Sequence, residues 1–220
     1  MNHIITLYFL ISILCLAACK GGAKEKINNE PVPVSEVRDT NLLFDGRTLE
    51  GWEITNFGPQ GPVYVSGDAI ILGMGDGCTG VTYKGNFPEM NYRITLEAKR
   101  VSGNDFFCGV TFPFDRNPCT LIVGGWGGTV VGLSNINGRD ASENETTRLL
   151  QFEKNRWYKI ELIVIPDSIK AFIDGEAAVR FAKEDKILSI RPEVELSKPF
   201  GITSWTTTAA IRNIRLEKLN

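Results

Sequence analysis

The sequence predicts an all-β fold, a sandwich of two antiparallel sheets, and three observations lead there. Apolar residues recur with a period of two, no stretch of a dozen residues carries helical periodicity, and Gly, Pro, Asn and Asp cut the chain into short segments. Short alternating segments separated by turn residues are the pattern of packed antiparallel sheets.

The elements follow in order. Short strands are expected at 42–44 (LLF), 51–54 (GWEI), 63–72 (VYVSGDAIIL) and 79–83 (TGVTY), with turns at FGPQGP and GMGDG. NYRITLEAKRV (91–101) alternates Tyr92, Ile94, Leu96 and Ala98 with Arg93, Thr95, Glu97 and Lys99, so one face is apolar and one is charged. Further strands are expected at 106–112 (FFCGVTF), 119–125 (CTLIVGG) and 129–133 (TVVGL). RWYKIELIVI is expected to turn Trp157, Ile160, Leu162 and Val164 inward. In SIKAFIDGEAAVRF, Asp174-Gly175 reads as a two-residue hairpin turn of the primed type. FGITSW (200–205) and TAAIRNIRLEKL (208–219) close the chain.

Outside these elements, residues 1–18 contain no acid, Lys or Arg and are almost purely apolar from Ile4 to Ala18, which is too short to span a bilayer, for which ~20 residues are needed. Leu16-Ala17-Ala18-Cys19 resembles the bacterial lipobox, so residues 1–18 are expected to be a lipoprotein signal peptide and Cys19 the lipidated residue. Residues 19–40 are rich in charge, Gly, Asn and Pro and are expected to be a flexible tether to a domain at 41–220. The expected location is the bacterial cell envelope, lipid-anchored, with Lys20 after the cysteine pointing to the outer membrane. A net charge of −2 without a basic cluster offers nothing to nucleic acid. Loss of the signal removes His3, the only histidine. Cys78, Cys108 and Cys119 then remain in the domain, open to one disulfide with an odd thiol or to simple burial, and no C-x-x-C spacing marks a zinc site.

NLLFDGRTLEGWEI carries Leu43-Phe44-Asp45-Gly46, Leu49 and Gly51-Trp52. With RITLEAKR, RWYKIELIV, AFIDGE and FGITSW…IRNIRLEKL, it resembles the 3-keto-disaccharide hydrolase domain family across nearly all of 41–220. The resemblance implies a concanavalin A-like jelly roll and cleavage of glycosides already oxidised at C3. Family members read an Asn-Ser-Gly-Ile strand followed by a Glu-Val-Gln strand. Here NDFFCGVTFPF and CTLIVGGWGG lack that Glu and Gln, which implies a site rebuilt around Trp126 and the loop after it.

That loop, GGWGGTVVGLSNINGRDASENETTR from Gly124 to Arg148, concentrates glycine, acids and amides. Trp126 between glycine pairs offers a flat face to a pyranose ring, with Trp205 or Phe107 as a second platform and Arg139, Asp140, Asn144 and Arg148 as a polar rim. The competing reading makes Trp126 a core plug and the acids a solvated turn. The chemistry the family implies needs a base beside C2 and a donor for an enolate oxygen. Asp140, Glu143 and Glu145 are the candidate bases, and Arg148 or Arg139 the candidate oxyanion partner. On an extended segment Glu143 and Glu145 share a face ~6.6 Å apart at Cα, within reach of the ~5.5 Å carboxyl separation of retaining glycosidases. The E-x-D-x-x-E strand of jelly-roll glucanases is missing. Asp140, Glu143, Asn144 and Glu145 are also hard oxygen donors of the kind that hold Ca²⁺. Two functions stay open: a lyase or hydrolase of 3-keto-glycosides, and a non-catalytic carbohydrate-binding lipoprotein. The expected partners are a saccharide or oxidised glycoside and, through Cys19, the membrane.

Overall fold

A computed structural model of the protein describes residues 41–220; the expected signal peptide, Cys19 and tether lie outside the described residues. Strands β1 (Trp52–Ile54), β2 (Val63–Ser66), β3 (Ala69–Leu72), β4 (Cys78–Tyr83) and β5 (Tyr92–Ser102) come first. They are followed by β6 (Cys108–Phe114), β7 (Asn117–Gly125), β8 (Val130–Ser134) and β9 (Arg148–Leu149). Then come β10 (Tyr158–Ile165), β11 (Ser168–Ile173), β12 (Glu176–Ala182), a 3-10 helix (Pro192–Ser197), β13 (Gly201–Trp205) and β14 (Thr208–Lys218).

The strands form two seven-stranded antiparallel sheets, a front sheet in the order β1-β4-β13-β6-β7-β8-β9 and a back sheet in the order β12-β11-β10-β5-β14-β3-β2. The last two strands each enter the middle of a sheet, β13 between β4 and β6 and β14 between β5 and β3. This is a concanavalin A-like jelly-roll sandwich.

Alternation builds the core. Tyr92, Ile94, Leu96 and Ala98 of β5 are buried against Val110, Phe112 and Phe114 of β6 and Cys119, Leu121 and Val123 of β7. Each large aliphatic or aromatic side chain removed from water contributes about 1.5–3 kcal/mol. The Tyr92 hydroxyl donates to the carbonyl of Pro113 on β6, a polar tie between the sheets. The opening motif is structural. Asp45 Oδ1 accepts the amides of Arg47 (2.7 Å) and Thr48 (2.8 Å), and the Trp52 indole donates to the carbonyl of Leu43 at 2.8 Å before packing on Tyr83 and Phe200. Asp174 and Gly175 both take positive φ (51° and 86°) in the turn from β11 to β12, as a primed hairpin turn requires.

Two expectations need correction. Tyr158, not Trp157, faces the core with Ile160, Leu162 and Val164. Positions 157 and 160 differ by an odd number, so they cannot share a face of a strand. Trp157 lies on the outside of the back sheet between Arg212 (4.2 Å to the ring centroid) and Lys99 (4.6 Å). The segment 42–44 is not a strand but makes a single bridge from Leu42 to Arg215. Cys78, Cys108 and Cys119 are buried free thiols. No helix among the described residues is long and apolar enough to cross a membrane.

Candidate functional site

The outer face of the front sheet carries a second, smaller core. Where β7 turns Cys119, Leu121 and Val123 inward, Thr120 and Ile122 face the other way, and Ile122 joins Cys78, Phe106, Val130, Ala141 and Val194 in that cluster. Ala141 belongs to the loop after β8 and Val194 to the 3-10 helix, so both segments fold back over the sheet. They leave a cavity of about 200 Å³ lined by Thr120, Ser134, Ile122 and Cys78 below and by Phe106, Trp126, Trp205, Asp105, Arg191, Glu193 and Val194 around it. Ligand pockets for larger molecules hold roughly 300–1,000 Å³, so this one fits a single small ring. Phe106 and Trp205 lie tilted with centroids 6.5 Å apart.

Three charged groups edge the cavity. Asp105 accepts the Phe106 amide on Oδ1 at 2.7 Å and makes only a long 3.5 Å contact from the Gly127 amide on Oδ2. Arg191 holds Glu193 through Nη2 at 2.9 Å and Asp140 through Nη1 at 3.2 Å. The Arg191 hydrogen bond keeps the Glu193 carboxyl below the usual glutamate range, and Glu193 in turn raises Arg191. At the floor, burial first and the nearby Glu193 charge second push the Cys78 thiol up to about 12, so it is no nucleophile at neutral pH.

The glycines beside Trp126 have a mechanical cause. Arg100, near the end of β5, is buried, at 6% exposure. Its Nη2 donates to the carbonyls of Gly124 (3.1 Å) and Gly128 (2.9 Å), and its guanidinium lies 5.2 Å from the Phe107 ring centre. A Cβ on Gly124, where φ is +78°, would meet that Nη2 at 2.6 Å; one on Gly128 would meet the Asn104 carbonyl at 2.9 Å. Both positions therefore need glycine. The turn closes when the amides of Gly128 and Thr129 each donate to the Gly125 carbonyl at 3.1 Å. Trp126 is thereby held at φ +48°, a conformation rare for a bulky residue, and the residue is left 40% exposed at the cavity wall.

Residues 39–217 match the family described as the 3-keto-alpha-glucoside-1,2-lyase-like domain. The chain belongs to that family. No curated protein matches the sequence. Among solved structures, the chain is similar to a carbohydrate-binding module from Bacillus subtilis at 15% identity, TM-score 0.50, with 76% of this chain and 96% of that one covered. It is also similar to a Crh5 transglycosylase in complex with NAG at 14% identity, TM-score 0.57, with 80% and 82% covered. A third is a galectin-like protein of unknown function from Bacillus subtilis at 12% identity, TM-score 0.57, with 77% and 90% covered. At these identities the likeness establishes the sandwich fold. The family itself makes this a carbohydrate-active domain.

In this 3-keto-alpha-glucoside-1,2-lyase-like domain, Trp126 and Trp205 line one cavity, while most of the polar residues picked out by the sequence lie elsewhere. Asp140 stands behind Arg191, its Oδ1 accepting the amide (2.9 Å) and hydroxyl (2.6 Å) of Ser142. Asn144 is a scaffold. Its Nδ2 meets the carbonyls of Leu133 (2.7 Å), Asp140 (2.7 Å) and Arg139 (3.1 Å), and its Oδ1 accepts the Thr146 amide (2.9 Å) and hydroxyl (2.6 Å). Glu145 pairs with Lys186 at 3.2 Å. Glu143 and Arg139 are exposed, and Arg148 is an exposed residue whose Nη1 reaches only the Thr147 carbonyl at 3.0 Å. None of Arg139, Glu143, Asn144, Glu145 or Arg148 lines the cavity. Glu143 and Glu145 sit in turns rather than on an extended segment, which removes the basis for a shared strand face. Phe107 is fully buried against Phe152 and Tyr158, so it is a core residue and not a platform; the ring at the cavity is Phe106.

The polar composition of 134–148 thus satisfies the backbone of a loop folded against a sheet, through side-chain turns that Asn, Asp, Ser and Thr provide. The same bonds occupy the oxygens considered for Ca²⁺: those of Asp140, Asn144 and Glu145 already hold Ser142, Arg191, Thr146 and Lys186. Among the described residues, no group of three or more Asp, Glu, His or Cys side chains is placed to hold a metal ion. Asp105, Arg191 and Glu193 were not singled out by the sequence. The one signal for Asp105 is an acid directly before two aromatics in a short turn; Arg191 and Glu193 sit in SIRPEVE, far from Trp126 along the chain.

Proposed function

We propose that this domain cleaves 3-keto-glycosides at the outer-face cavity, by elimination followed by hydration. The observation that carries the reading is that two tryptophans, a carboxylate with a nearly free oxygen (Asp105 Oδ2) and a guanidinium (Arg191) border the same ring-sized space. The aromatic faces suit the C–H face of a pyranose, and Thr120 and Ser134 suit its hydroxyls.

The chemistry balances with these groups. The C3 ketone acidifies the C2 proton, and Asp105 takes that proton. The C–H electron pair becomes the C2–C3 double bond of an enolate whose oxygen accepts from Arg191, which still has three N–H groups beyond those given to Asp140 and Glu193. The enolate then re-forms the ketone, the C1–C2 double bond appears, and the C1–O bond breaks. The departing oxygen takes the proton from Asp105. Water adds across C1–C2, hydroxyl to C1 and hydrogen to C2. Asp105 is the assigned base because the Arg191 hydrogen bond engages Glu193 and makes it the weaker base, and Asp140 lies behind Arg191.

The test is release of an aglycone from a synthetic aryl 3-keto-glucoside. Turnover should vanish in Asp105→Asn and persist in Glu143→Gln. A second reading, sugar binding without turnover, is favoured by the cavity floor, where Thr120 and Ile122 stand in the strand on which the family resemblance implies Glu and Gln. Binding of the same glucoside with no aglycone release from the parent protein would select it. For location, we propose that lipid on Cys19 holds the protein to the cell envelope. Supported by the lipobox resemblance alone, this predicts that Cys19→Ala moves the protein from the membrane to the soluble fraction.

A further inference from the structure

The charges around the cavity point to a substrate class, given the saccharide reading above. Arg191 is the single cation among the described residues that line the space, and both of its terminal nitrogens already hold carboxylates, Glu193 at 2.9 Å and Asp140 at 3.2 Å. Glu193 lies on the lining itself, and Asp105 adds one further negative edge. Two carboxylates on the lining and a third behind it against one guanidinium leave the surroundings at formal charge −2. Apart from Cys78 and the neutral hydroxyls of Thr120 and Ser134, the remaining lining is aromatic or aliphatic (Phe106, Ile122, Trp126, Val194, Trp205), and charges beside such surfaces interact more strongly than in bulk water.

We propose that the cavity takes glycosides whose bound ring is neutral or carries an ammonium group, and rejects rings bearing a carboxylate, sulfate or phosphate. Recognition of an anion needs a donor whose charge is not already matched, and Arg191 lacks that. A hydroxyl or ammonium instead finds acceptors in Asp105 Oδ2 and in the second oxygen of Glu193. Forming the enolate is compatible with this selection. Proton transfer moves one negative charge from Asp105 to the sugar and leaves the total unchanged, whereas a uronate brings an additional one.

The experiment measures binding of methyl α-glucoside, methyl α-glucosaminide and methyl α-glucuronide to the full chain by tryptophan fluorescence, at about pH 6, where the amine is protonated and the uronate ionised. The glucuronide should bind about tenfold or more weakly than the glucoside, a like-charge penalty of at least about 1.4 kcal/mol. The glucosaminide should bind at least as well as the glucoside. In Glu193→Gln, with folding checked by its melting curve, the glucuronide penalty should shrink because Nη2 of Arg191 is released. Equal binding of glucoside and glucuronide, or a penalty unchanged in both Glu193→Gln and Asp140→Asn, overturns the charge selection and leaves the saccharide site intact. Failure of all three sugars to bind overturns the selection, and failure of the aryl 3-keto-glucoside to bind as well overturns the saccharide reading.

Discussion

Replacing Arg100 by methionine tests how the Trp126 turn is held. The side chain is 6% exposed, and its Nη2 gives hydrogen bonds of 3.1 Å and 2.9 Å to the carbonyls of Gly124 and Gly128. Methionine fills similar volume and leaves both buried acceptors without that donor. Each costs about 1–3 kcal/mol, offset in part because a charge no longer has to be kept from water. Burial already pushes the guanidinium down from its usual value, Asp105 and Tyr158 acting against that push. A net loss of about 2–3 kcal/mol is expected, and at roughly 2–4 °C per kcal/mol for a domain of this size the Tm falls by roughly 4–12 °C. Trp126 then keeps only the Gly128 and Thr129 amide bonds to the Gly125 carbonyl against a φ of +48°, a conformation costing about 1–3 kcal/mol. It relaxes away from the cavity wall, and saccharide affinity falls by about tenfold as the stacking face is lost. Arg100→Lys keeps the charge without the planar fork, so it recovers stability and affinity only in part. Calorimetry and fluorescence titration read both effects. An Arg100→Met protein that melts within a degree or so of the parent and binds sugar equally well refutes the argument.

The remaining predictions address the cavity and its surroundings. Trp126→Ala and Trp205→Ala should each weaken saccharide binding by roughly tenfold, while Glu145→Ala and Arg148→Ala, both exposed, should stay within about 0.5 kcal/mol of the parent in stability and leave affinity alone. Because the Arg191 hydrogen bond lowers the Glu193 carboxyl in the folded state, its contribution to stability is complete above the unfolded value of about 4.3 and is lost as pH falls through the folded value. Melting curves below about pH 4 should therefore depend less steeply on pH in Arg191→Ala; an identical slope would contradict the pairing. Burial of Cys78, Cys108 and Cys119 raises all three thiols, to about 12 for Cys78 and Cys119. Peptide mapping after alkylation near pH 8 should find them unmodified until denaturant is added.

The fold was legible because it rests on parity. Tyr92, Ile94, Leu96 and Ala98 alternate without a break, and such a run assigns its own inner face. Parity also explains the failures. Phe107 and Cys108 both face the core, so alternation is interrupted where β6 begins, and the residue left at the cavity is Phe106. One step along a strand exchanges the two faces, and nothing local in FFCG marks the step. Asn144 misleads for a different reason. An amide that braces two carbonyls of its own loop and one of β8 has the same composition signature as one that recognises a sugar.

The glycines beside Trp126 show why the site resists reading from sequence. Taken along the chain they imply a ligand coming close to the backbone; in three dimensions the close approach at Gly124 and Gly128 is made by Arg100, from the opposite sheet, and by the Asn104 carbonyl. The charged edge is likewise assembled from parts distant in sequence: Asp105 before β6, Asp140 after β8 and Arg191 at the start of the 3-10 helix. A stretch that alternates reports on its own strand, but a cavity reports on which loops the topology brings together. Here that is decided by β13 entering the front sheet between β4 and β6, which carries the preceding 3-10 helix across the outer face and Trp205 to its rim. Moving Trp205 or Arg191 out of register should therefore empty the site even with Trp126 in place, because the turn supplies one wall and the late crossover supplies the other.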